Sequence, residues 1–136
     1  MSGLGRVALA AVIAVTAGTA AARAEESEDG NRRLFVKHCA ECHGRDGKGG
    51  GAAASELAQP PPDLTRLARD NGGEFPLARV MRAIDGRDRP HGSSDMPVWG
   101  EEFAYDYTDP YRDRWGIRIK VRRLAEFIES IQEPGN

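Results

Sequence analysis

The clearest pattern of apolar and polar positions lies near the carboxyl end of the chain. Apolar residues recur there at steps of four, three, four and three, while charged residues take the other faces. The apolar positions are Ile117, Val121, Leu124, Ile128 and Ile131. This spacing predicts an amphipathic helix near residues 117–132 that buries one face.

A second apolar face precedes it, formed by Leu77, Val80, Met81 and Ile84. Pro76 suits a first helical position and Gly86 suits a helix end, so a helix is predicted over residues 76–85. A further helix is predicted near residues 29–40, followed by a loop to Pro62 and a short helical turn near residues 63–69.

The amino-terminal segment has the pattern of an export signal. One base, Arg6, precedes an uncharged run over residues 7–22, and Ala22-Arg23-Ala24 places small residues three before and one before a cleavage point. We expect residues 1–24 to be a cleaved signal peptide and residues 25–136 to form the mature domain. An uncleaved membrane anchor is the alternative, because the run approaches the length that crosses a bilayer.

The mature segment has few large apolar side chains from which to form a core. Leu, Ile, Val and Phe make up only 19 of its 112 residues, below the roughly one-fifth expected of a stable globular chain. Gly contributes 13 and Pro 8, so much of the backbone is loop. The side-chain charge of −4 argues against general nucleic-acid binding. Something besides side chains should therefore fill the middle.

The only two cysteines stand in Cys39-Ala40-Glu41-Cys42-His43. Two thiols at this spacing can add to the two vinyl groups of one haem, and the next residue places an imidazole at the iron. The pentapeptide therefore predicts one covalently attached haem c held by Cys39 and Cys42, with His43 as the proximal ligand.

Three other interpretations compete for these cysteines. A thiol–disulfide oxidoreductase also uses this spacing, but it needs a preceding strand and a βαβ core. A structural zinc site would need His38 and His91 to complete its four ligands. A plain disulfide would close a very small loop of little entropic value.

A sixth iron ligand is predicted at Met96. Met81 belongs to the apolar face described above and is interpreted as core packing. Met96 instead lies in an irregular loop, where Pro97 holds it in an extended conformation and its sulfur can be presented to a haem. His91 is the main rival, and a vacant position is the third possibility. His38 is interpreted as solvent-facing.

Together these residues resemble a class I cytochrome c, in particular the small exported monohaem type of Gram-negative bacteria. The resemblance covers nearly all of residues 29–132. It rests on Phe35 four residues before the first thiol, the haem motif, the glycine-rich stretch 44–51, Pro60-Pro61-Pro62 with the following Asp63, the Met96-Pro97 loop and the last helix.

The resemblance implies an all-α fold of four or so helices around one covalently attached haem, with the first and last helices crossing. Leu124 and Phe127 match the family positions that meet the aromatic of the first helix, here Phe35. One departure concerns the crossing, because Asn31 stands where the family usually has Gly. The crossing is therefore expected to be shifted or wider.

The resemblance also suggests contacts around the haem. One of the three consecutive prolines would accept the Nδ1 proton of the proximal histidine through its carbonyl, which tunes the iron. Trp99, Arg87 and Arg89 are candidates for contacting the haem propionates. The segment 101–115 holds all three tyrosines and is interpreted as a cap on the last helix, with a lid or a partner contact as alternatives.

The expected function is that of a periplasmic electron carrier rather than an enzyme. Its iron would cycle between Fe(II) and Fe(III) and exchange electrons with redox protein partners, as a monomer or as a subunit of a redox complex. Two alternatives stay open. One is a gas or small-ligand binding module in which Met96 binds the iron weakly or not at all. The other is a haem subunit that transfers electrons for a larger dehydrogenase or oxidase.

Overall fold

The computed structural model describes residues 25–88, 95–105 and 114–134. These residues contain five α-helices, three short 3-10 turns and no strand, which agrees with the all-α prediction. The helices are α1 (25–38), α2 (Ala40–His43), α3 (Leu77–Asp85), α4 (Trp99–Glu102) and α5 (Arg114–Ser130). The 3-10 turns are Ala54–Glu56, Leu64–Arg66 and Arg69–Asn71.

The chain divides into two compact units, Met1–Gly30 and Asn31–Asn136. Residues 25–30 are helical, and the rest of the first unit, which contains the proposed export signal, lies outside the described residues. The boundary between residues 24 and 25 therefore stays a prediction. Within the described ranges, none of the helices combines the length and the apolarity that crossing a bilayer requires.

Helices α1 and α5 meet through a fully buried aromatic pair. Phe35 is 0% exposed, and its ring centroid lies 4.8 Å from that of Phe127. At the same crossing Asn31 is buried, and its Oδ1 accepts a 2.8 Å hydrogen bond from Nε of Arg123. The residue that replaces the expected Gly is therefore accommodated by a polar bond, because a buried amide needs a partner.

Helix α5 begins three residues before the predicted start and ends at Ser130. The predicted face is correct, since Ile117, Val121, Leu124 and Ile128 are all buried. At the end of the helix, side chains donate hydrogen bonds to its last carbonyl groups. Ser130 Oγ donates to the Phe127 carbonyl, and Gln132 Nε2 donates to the Ile128 carbonyl. Such bonds satisfy carbonyls that have no partner within the helix.

Helix α3 matches its prediction closely. Val80 and Ile84 are buried, and Leu77 and Met81 pack against the same core. The helix ends at Gly86, whose φ of 72° is the left-handed conformation that glycine adopts at little cost. Pro76 is the residue before the helix rather than its first residue.

Helix α4 was not predicted, because its residues were assigned to an irregular loop. It allows Trp99 to stack on Phe103 one turn later, at 5.4 Å between ring centroids. Its buried Gly100 packs so closely on the ion pair of Asp85 and Arg87 that a methyl group there would overlap both side chains. These tertiary contacts, which no local pattern shows, explain the extra turn.

The glycine-rich stretch 44–51 folds back over the end of α2. In order along the helix, the carbonyls of Ala40, Glu41, Cys42 and His43 accept from the amides of Gly44, Ala53, Gly51 and Gly49. A side chain on Gly51 would overlap the backbone at Glu41. Glycine is therefore needed because the returning backbone passes almost directly against the helix end.

The same stretch is also hydrogen-bonded to the proline loop, residues 60–65. The amide of Leu64 donates to the Gly47 carbonyl at 2.8 Å, and the Pro61 carbonyl lies against Gly49. Asp63 closes the next turn, since its Oδ1 accepts from both the amide and the hydroxyl of Thr65. The haem motif and the proline loop are thus joined through glycine backbone.

Replacing Gly49 with Ala should be more costly than the same change at Gly72. Both residues have positive φ, 85° and 74°, so both variants carry a backbone cost of about 1 kcal/mol. Only at Gly49 would the new methyl group also overlap the Pro61 carbonyl, which should add about 1–3 kcal/mol. Denaturant unfolding of the two variants measures the difference. Equal losses would show that the close approach is unimportant.

The charge of Asp63 should stabilise the turn in a pH-dependent way. Hydrogen bonds from Thr65, assisted by Lys48 and Arg66, lower the pKa of this carboxyl. A lowered folded-state pKa contributes stability that is present above about pH 4 and lost as the pH falls further. Asp63→Asn keeps an acceptor without the charge, so it should lower the free energy of unfolding slightly at pH 7 and less at pH 3, because solvent screens this carboxyl. A gap that stays constant over this range would contradict the assignment.

Candidate haem site

The predicted haem motif occupies the junction between α1 and α2. The first helix ends at residue 38, the backbone turns at Cys39, and α2 then carries Cys42 and His43. The amides of Cys42 and His43 both donate to the Cys39 carbonyl. The motif therefore forms a separate short turn, whereas the sequence predicted the first helix to run to Ala40.

An apolar cavity of about 550 Å³ lies beside this turn. Its volume falls within the roughly 300–1,000 Å³ of small-molecule and cofactor sites. All four predicted ligands, Cys39, Cys42, His43 and Met96, line it. The remaining wall is largely aliphatic, aromatic and proline side chains from the core helices and the proline loop. The residues present therefore fit a large flat apolar group held by two sulfurs and a nitrogen.

One ring nitrogen of His43, Nδ1, has no hydrogen-bond partner. Nδ1 is buried and makes no hydrogen bond of ordinary geometry. The backbone carbonyl of Pro62 lies nearby, and as an acceptor it tends to raise the pKa of the imidazole. Burial outweighs that effect and lowers the pKa of His43, so the ring is neutral at pH 7. A neutral imidazole that carries its proton on Nδ1 leaves Nε2 free to bind a metal.

The two thiols are not joined in a disulfide. Burial, with a smaller contribution from Cys42, raises the pKa of the Cys39 thiol to about 12. Its sulfur is therefore uncharged at neutral pH, which suits a wall of apolar atoms.

Met96 is half-buried and lies near the start of the described segment 95–105. The preceding residue fixes this position, because the amide of Ala58 donates to Oδ2 of Asp95 at 2.9 Å. Met81 packs on the core instead of lining the cavity, as predicted. The rival ligand His91 lies outside the described residues.

His38 differs from its prediction as a solvent-facing residue. It is half-buried and lines the cavity, and its ring meets Trp99 and Phe103 edge-on at 5.2 Å each. The difference arises because α4, which carries Trp99, was not predicted. Phe103 is itself buried and lies 5.1 Å from the Lys120 ammonium of α5, so the described start of segment 101–115 does cover the last helix.

The candidate propionate contacts separate into three cases. Trp99 lines the cavity, as its role requires. Arg87 is bound to Asp85 through two nitrogens, at 2.7 and 2.8 Å, away from the cavity wall. Arg89 lies outside the described residues. Arg79 of α3 also lines the cavity. The sequence did not predict this, because Arg79 lies on the exposed side of α3 and borders the cavity only once α3 has packed on the core.

The alternatives for the cysteines find little support in the described chain. A helix precedes the motif where an oxidoreductase would have a strand. His38 faces an aromatic pair, and the described residues contain no group of three His, Cys, Asp or Glu side chains that could hold a metal ion.

Comparison with known proteins agrees with this geometry. No curated protein and no solved structure is significantly similar to the chain. Among protein families, the cytochrome c family matches over residues 27–109, which is more than half of the chain and includes the haem motif and Met96. The chain therefore belongs to the cytochrome c family, and its cofactor is covalently bound haem c.

Proposed function

We propose that the protein is an exported single-electron carrier in which Cys39, Cys42, His43 and Met96 hold one haem. The observation that carries this proposal is that Met96, far along the chain from the motif, lines the same apolar cavity as Cys39, Cys42 and His43. Bound haem supplies a one-electron Fe(II)/Fe(III) couple. Membership of the cytochrome c family supports electron transfer rather than catalysis.

Each residue of the motif has a separate task. The Cys39 and Cys42 sulfurs form thioether bonds that tether the cofactor to the turn between α1 and α2. Nε2 of His43 would bind the iron, and a hydrogen bond from Nδ1 to the nearby Pro62 carbonyl would keep the ring in one orientation. Backbone hydrogen bonds to all four carbonyls of α2 keep this turn rigid.

Met96 would supply a second ligand to the iron through its thioether sulfur. A thioether favours the reduced iron, which raises the reduction potential and leaves no open position for a substrate. The bond between Ala58 and Asp95 holds the Met96 loop against the segment that precedes the prolines. The apolar wall excludes water, and Arg79 and Trp99 are the lining residues best able to meet a propionate.

Location and partners follow from the amino-terminal pattern and the family. Residues 1–24 direct export and are removed, and haem attachment is completed in the periplasm. The partners are redox proteins that donate and accept single electrons. Fractionation of an expressing Gram-negative host should place the red protein in the periplasm, and recovery in the cytoplasm would contradict the proposal.

Met96→Ala should change both the spectrum and the potential of the holoprotein. We expect loss of the near-infrared sulfur-to-iron band of the oxidised form. We also expect a fall in potential of at least about 59 mV, equivalent to a tenfold change in the redox equilibrium. Met81→Ala is the matched control, because Met81 packs on the core; it should reduce stability and keep the band.

A band that survives Met96→Ala would assign the axial role to another residue. Rapid carbon monoxide binding by the wild-type ferrous protein would favour a ligand-binding module instead, because it requires an open or weakly held position.

A further inference from the structure

The side chain of Gln132, two residues beyond α5, bridges the last helix and the proline loop. Its Nε2 donates to the carbonyls of Leu64 and Ile128, both at 2.7 Å, and its Oε1 accepts from the amide of Ala68 at 2.8 Å. A primary amide has two N–H donors and one carbonyl acceptor. Gln132 uses all of them on backbone groups, which neither a carboxylate nor a hydrocarbon could do.

The two neighbours of Gln132 contact the same region. The amide of Glu133 donates to the Thr65 carbonyl at 2.8 Å, and its carboxylate pairs with Lys48 at 3.1 Å. Ile131 lies beside Gly47, where a methyl group would come within 2.7 Å of its Cδ1. We refer to residues 131–133 as the C-terminal clamp.

The proline loop depends on such outside support. Three consecutive prolines provide no backbone N–H groups, so residues 60–62 cannot anchor themselves by donating hydrogen bonds. The Leu64 amide, which donates to the Gly47 carbonyl, restores an anchor two residues after Pro62. The carbonyl of this same Leu64 is the group that Gln132 holds from the other side.

We propose that Gln132 is a positioning residue for His43: by fixing Leu64 and Ala68, it keeps the Pro62 carbonyl beside the imidazole, where it can accept the Nδ1 proton. The inference rests on the proposed function, because the position of this carbonyl matters to the iron only if His43 is its ligand. The amide of Gln132 thereby links the end of the last helix to the proximal side of the cofactor.

The proposal predicts a definite sign. A well-placed carbonyl raises the donor strength of the imidazole, which favours the ferric iron. Loosening the loop should weaken that donation and raise the reduction potential, opposite to the fall expected when the thioether is removed. It should also expose the Nδ1 proton of His43 to exchange with solvent.

The test uses holoprotein variants in which Gln132 is replaced by a side chain of similar size. Gln132→Leu removes all three bonds, and Gln132→Glu keeps an acceptor for Ala68 but removes both donors. Ser130→Ala is the matched control, because Ser130 donates only to Phe127 within the same helix end. Proton exchange at His43 Nδ1, followed by NMR in the ferrous form, and the reduction potential are measured for each.

We expect the two Gln132 variants to exchange this proton about tenfold faster than wild type, because a tenfold change in the opening equilibrium corresponds to the loss of about one hydrogen bond. Their potentials should rise while the sulfur-to-iron band remains, and Ser130→Ala should match wild type. Exchange and potential equal to the control, with the band intact, would overturn the inference and leave the proposed function standing. Wild-type protein without that band would overturn the proposed function first.

Discussion

The fold depends on filling the apolar cavity at its centre. The cavity has a volume of about 550 Å³ and is lined mainly by apolar side chains, whose removal from water is the dominant favourable contribution to folding. With 19 aliphatic and Phe residues in 112, the chain has few further side chains with which to close that space. A covalently attached cofactor is a permanent solution, because two thioether bonds prevent its loss.

Beside that cavity, backbone groups rather than side chains fix the turn that carries His43. The glycine-rich stretch satisfies the carbonyls of α2, and its Gly49 admits the proline loop at close range. Residues 131–133 then hold this loop from the carboxyl end of the chain. Segments near residues 47, 64 and 132 are thus bonded to one another, which explains why loops rich in Gly and Pro can be stiff.

The sequence predicted what periodicity and spacing encode. The buried faces of α3 and α5 were correct because apolar side chains must point inward at a period of 3.6 residues. The haem motif was predicted because its chemistry is specific, whereas Met96 lines the cavity and its role as an iron ligand stays a prediction. Three features could not be predicted in the same way. Helix α4 depends on tertiary contacts of Trp99 and Gly100, His38 is half-buried against Trp99 of that helix, and Gln132 is bonded to backbone groups more than 60 positions away.

The most direct test of the account is the intact mass of the protein secreted by a host that can attach haem, with a double Cys39→Ser, Cys42→Ser variant beside it. The account predicts a chain of residues 25–136 carrying one haem that acid and organic solvent do not extract, and a variant without it. A folded, colourless wild-type protein with two unmodified thiols would contradict it.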